Sequence, residues 1–148
     1  MNNLRISRQP LLPVATAMLL AIFAFGSYSV TAATAGIRLS LNCAQESPAN
    51  PSMATGIGDI TVGSDKTVSG SITTTGLAGT MAHIHIGAIG ANGPVAITLV
   101  KNGDTYSVPA GTKFTDAQYD SFQKGGLYIN VHSAANPNGE IRGQLKPL

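Results

Sequence analysis

Two stretches of this sequence alternate strictly between apolar and polar residues, and together they hold all three of its histidines. They are Ala82-His83-Ile84-His85-Ile86-Gly87 and Leu127-Tyr128-Ile129-Asn130-Val131-His132. A β-strand sends successive side chains to opposite faces, so a period of two is the signature of a half-buried strand. His83 and His85 then share one face, with Ile84 and Ile86 on the other. His132 lies opposite Leu127, Ile129 and Val131. The apolar sides can build a core while the imidazoles gather on an outward surface.

The remainder of the chain after residue 36 extends the same pattern. Ile37 to Leu41 alternates. Ile57–Val62 and Val68–Thr74 flank the turn-rich Gly63-Ser64-Asp65-Lys66 and predict a hairpin. Pro94 to Lys101 predicts a strand, and Asn102-Gly103 a tight turn into Thr105–Val108. One helix interrupts the series, near residues 115–124. Thr115 and Gln118 have the spacing of a capping box, Phe114, Tyr119 and Phe122 supply an apolar stripe, and Gly125 stops it. Asn136-Pro137-Asn138-Gly139 turns the chain into a last strand, Glu140 to Leu145. Short strands at this spacing predict a mainly β fold, an antiparallel Greek-key-like sandwich or barrel.

The first 35 residues read differently. Arg5 and Arg8 precede an apolar run, Leu11 to Val30, followed by small-residue sites near Ala32 and Ala35. A positive start, an apolar middle and an A-x-A-like end describe a secretory signal peptide, with an uncleaved membrane anchor as the alternative. Residues 36–148 then form a single domain, secreted or periplasmic. Removing the leader leaves seven basic and seven acidic residues, so the basic balance of the whole chain lies in the leader. No cluster of Lys or Arg remains to neutralise phosphates, which argues against nucleic-acid binding, and no second apolar segment suggests a membrane after leader removal. Cys43 is the one cysteine, so no intrachain disulfide forms, and its distance from the apolar run argues against lipid attachment.

Two histidines at i and i+2 with a third from a neighbouring strand form a possible three-nitrogen site for copper or zinc. Three protein ligands and an open position mark metal sites that exchange ligands. If the last two strands pair, Asn130, Glu140 and Arg142 join His83, His85 and His132 in one polar patch, with Glu140 placed to orient an imidazole. The alternative is structural: the histidines hydrogen-bond to Glu140, Asn130 or loop carbonyls and fix the glycine-rich loop, residues 87–93, to the sheet. Nothing else defines a reaction. Gly-x-Ser-x-Gly and a phosphate-binding glycine loop are absent, and Glu46 with Glu140 does not by itself make a glycosidase pair.

The string His83-Ile84-His85-Ile86-Gly87, then Asn92-Gly93-Pro94-Val95, resembles the CHRD (chordin-type) domain. So does Gly126 to His132 followed by Asn136-Pro137-Asn138-Gly139-Glu140-Ile141-Arg142-Gly143-Gln144. Leu41 to Pro48, with Glu46, is similar to the start of that domain, although Cys43 stands where glycine is usual and Ala49 where a second proline is common. The resemblance covers Leu39 to Leu145. It implies a secreted or envelope β-rich module and no settled activity. The reading adopted is a binding or structural module of the envelope or extracellular space, with an extracellular protein or polymer as ligand and a non-enzymatic role favoured over an enzymatic one; a mononuclear three-histidine metal protein with redox chemistry and an adhesion or polymer-binding protein are the rival readings. The His-x-His strand with the later Val131-His132 is also similar in pattern to the copper strands of Cu/Zn superoxide dismutases. That similarity reaches His83, His85 and His132 only, because no fourth histidine, zinc loop or cysteine pair accompanies them.

Overall fold

The computed structural model describes residues 36–148; the expected signal peptide lies outside the described residues. Among these residues nine strands and one α-helix are seen. They are β1 (Ile37–Asn42), β2 (Thr55–Val62), β3 (Val68–Thr75), β4 (Gly79–Ile86), β5 (Val95–Thr98), β6 (Val100–Asn102), β7 (Thr105–Ser107), α1 (Asp116–Gln123), β8 (Leu127–Ser133) and β9 (Ile141–Leu145). All nine belong to one antiparallel sheet in the order β5-β4-β8-β9-β1-β2-β3-β7-β6. The mainly β, barrel-like architecture expected from the alternation is therefore present, as is the hairpin of β8 with β9.

The sheet nearly closes on itself through one segment. The expected single strand from Pro94 to Lys101 is instead two short strands broken at Leu99. β5 pairs with β4 at one edge and β6 with β7 at the other. Leu99 turns inward, is buried, and its N–H donates to the Ala82 carbonyl at 2.9 Å. A run of apolar residues cannot reveal such a break, because burying Leu99 satisfies the same pattern as a continuous strand.

The inner face of the sheet carries the core. Leu41, Ile60, Ile72, Ile84, Leu127, Ile129, Val131, Ile141 and Leu145 are fully buried there. Each such side chain contributes about 1.5–3 kcal/mol by leaving water. The helix forms where its caps predict. Thr115 accepts from the Gln118 N–H, Gln118 bonds back to the Thr115 N–H, and Gly125 adopts φ +68° just past the end. Phe122 and Phe114 from this region complete the core.

Candidate metal centre

The outer face of β4, β8 and β9 carries a polar grid. The β4–β8 ladder sets His83 opposite Asn130 and His85 opposite Tyr128, and the β8–β9 ladder sets Asn130 opposite Arg142. Opposed residues on one face have Cβ atoms about 4.5–5.5 Å apart, so this register forces the side chains together. One nitrogen from each of His83, His85 and His132 lies within 4.8 Å of the others. The sequence-predicted trio is thus brought to one point.

The grid does not face solvent as the alternation alone suggests. His85, His132, Asn130, Glu140 and Arg142 are buried, and only His83 is partly open. The loop 87–93, the turn 134–139 and the segment after β1 cover them. The cover is attached by specific bonds. Arg142 donates to the Ala88 carbonyl at 2.8 Å and lies 3.5 Å from the centre of the Tyr128 ring. Gln144 donates to the Gly87 and Gly125 carbonyls, at 2.9 and 2.8 Å. Gly93 must be glycine, since a Cβ there would run into the Ile86 carbonyl.

These loops decide the protonation of the imidazoles. His85 Nδ1 is 2.9 Å from the Gly93 carbonyl and His132 Nδ1 is 2.9 Å from the Pro137 carbonyl. A carbonyl only accepts, so each Nδ1 carries a proton, and in the neutral ring Nε2 is the nitrogen that offers a lone pair. His85 Nε2 is buried without a hydrogen-bond partner among the described residues. His132 Nε2 lies 3.0 Å from His83 Nδ1, which donates to it in this arrangement. The His85 ring stacks on Tyr128, with centroids 4.9 Å apart and planes within 5°. Burial holds the His83 imidazole below its ordinary pKa, with repulsion from His132 and His85 adding to the effect. Burial likewise depresses His132, against the raising effect of its bond to Pro137.

The residues expected to orient the histidines are placed differently from one another. Glu140 touches no imidazole in the hydrogen-bond network; it accepts from Ser52 Oγ at 2.6 Å. Burial pushes its carboxyl up, but bonds from Ser133, Ser52 and Asn136 outweigh that and leave it below its ordinary value. The orienting role falls to the Gly93 and Pro137 backbone carbonyls, which no side-chain pattern displays. Arg142 acts at one remove, by holding the loop that presents Gly93. Asn130 sits beside His83 with its Oδ1 buried and unpartnered. Glu46 also belongs to this layer. It is buried, its Oε1 lacks a partner, and burial raises its pKa despite the attraction of Arg142. Its place just after the Cys43–Gln45 3-10 turn was not readable as part of the site.

The CHRD domain family model matches residues 37–145. That span is most of the chain, and this protein belongs to the CHRD domain family. The match covers both histidine strands and all three loops that close over them. No curated protein and no solved structure matches the chain.

Proposed function

We propose that this CHRD domain is an exported metal-binding module whose centre is a mononuclear copper or zinc ion held by His83, His85 and His132. One observation carries the reading: three imidazole nitrogens converge, and the two best-buried rings are already fixed in the tautomer that offers Nε2. Metal-bound histidines characteristically donate their other N–H to a carbonyl or carboxylate, as His85 and His132 do here. Three ligands each about 2.0–2.1 Å from one ion lie roughly 3.3–3.6 Å from one another, so nitrogens now within 4.8 Å draw together by about 1 Å through side-chain rotation on binding. Binding converts the His83–His132 hydrogen bond into two coordinate bonds and moves the His83 proton to its Nε2. It also gives the orphaned His85 Nε2 a partner. The partly open side at His83 leaves room for a further ligand. Export rests on the charged and apolar leader of residues 1–35 alone.

A second reading draws on the same carbonyl bonds: the trio clasps the 87–93 loop and the 134–139 turn to the sheet without any ion. Metal analysis separates the two. Natively purified mature protein is expected to hold one equivalent of copper or zinc, and chelation is expected to lower its melting temperature, because an ion that binds only the folded state stabilises it. The triple variant His83→Ala/His85→Ala/His132→Ala should hold none. A wild-type protein that takes up neither ion on titration sinks the metal reading and leaves the clasp.

A further inference from the structure

We infer that Met81 supplies a fourth, thioether ligand to this centre, and that the ion it is built for is copper(I). The inference rests on the three-histidine reading above and names its metal. Met81 is two residues before His83, so it occupies the same outer row of β4 as His83 and His85. The β4–β8 register pairs it directly with His132. Opposed residues hold their Cβ atoms about 4.5–5.5 Å apart, and the three rotatable bonds of methionine carry its sulfur across that gap. The ladder slips between Gly79 and Met81, so Met81 is the last regular position of the row. Bulges of this kind mark places where a side chain is re-aimed.

The side chain is also accessible. Its neighbours Ala82 and Ile84 are fully buried in the core, whereas Met81 remains 49% exposed. Along β4 it is the next residue of the outer row beyond the partly open His83.

The donor chemistry then selects the ion. Thioethers are soft ligands that suit copper(I), while zinc favours imidazole, thiolate and carboxylate. No carboxylate joins the trio: the converging group contains histidines only, and Glu140 is engaged with Ser52. Three neutral imidazoles and a neutral thioether leave the full charge of the ion uncompensated in a largely buried place. A single charge is far less costly to bury than a double one.

Anaerobic competition of mature protein with a chromophoric copper(I) chelator, beside zinc titration, tests this. Met81→Leu keeps the size and exposure of the side chain and should leave the unfolding midpoint unchanged. It is expected to weaken copper(I) by at least about tenfold, the lower end of what groups supporting a metal contribute, with zinc affinity unaltered. X-ray absorption of the copper(I) form should show a sulfur neighbour that Met81→Leu removes. If wild type binds copper(I) through nitrogen alone and Met81→Leu binds it equally well, the methionine assignment is overturned and the three-histidine centre stands. If wild type binds neither ion, both fail together.

Discussion

The two sides of the barrel follow the same alternation and have opposite fates. On β2 and β3 the outward residues, such as Ile57, Asp59, Ser69 and Thr73, lie largely in solvent. On β8 every residue from Leu127 to Ser133 is buried, on both faces. The difference is made by loops, which lie over β4, β8 and β9. Polar groups facing water need no protein partner, but covered ones must find one. Most do: Arg142, Gln144, His85 and His132 bond to carbonyls of the covering loops. Among the described residues four buried side-chain atoms lack a partner, and Glu46 Oε1, His85 Nε2 and Asn130 Oδ1 all belong to this covered layer. A layer that is costly to bury and incompletely satisfied is where a ligand has something to gain.

The sharpest way to break the contrast is to remove one arginine from each side. Arg142→Ala takes away a buried guanidinium that lies on Tyr128, holds the 87–93 loop and attracts the buried Glu46. Urea unfolding is expected to show a loss of about 3 kcal/mol, in the range for breaking a buried charge network. Arg38→Ala, on the exposed row of β1, should change stability by less than about 0.5 kcal/mol. Equal effects would mean that the cover contributes nothing.

Gly93→Ala sharpens the comparison from the loop side. The added Cβ pushes against the Ile86 carbonyl and moves the Gly93 carbonyl off His85. We expect about 2 kcal/mol of destabilisation, typical of overpacking, together with weaker metal retention. Gly90→Ala in the same loop meets nothing within 4 Å and has φ +76°. It should cost only its backbone strain, about 1 kcal/mol, and spare metal retention. If both variants retain metal equally, the Gly93 carbonyl does not matter to the site.

The smallest expected effect is on pH. His83 and His132 both titrate below the ordinary histidine value in the folded chain. As pH falls through about 6.5, the unfolded chain takes up protons first. Stability from these two groups is therefore complete above that pH and declines toward their lower folded values. Urea midpoints of chelated protein should fall on acidification from pH 7.5 to 5, and the slope should flatten in His83→Ala/His132→Ala. A chelated wild type that gains stability over that interval contradicts the burial of the imidazoles.

The strand pattern, the hairpins, the capping box and the meeting of His83, His85 and His132 were all legible in the residues. Each depends on local chemistry or on a period of two, which sequence displays directly. The place of Met81 in the histidine row follows from the same rule, but sequence alone does not single it out, because a methionine in a strand draws no attention until a metal is considered. The break at Leu99, the burial of the outer face and the loss of Glu140 to Ser52 were not. They follow from which loop lies over which strand, and non-local packing leaves no period in the chain. The orienting groups of the site are backbone carbonyls, and every residue has one. Sequence determined which side chains share a face; tertiary structure decided that the face is covered, which nitrogens carry protons, and so which lone pairs are left for an ion.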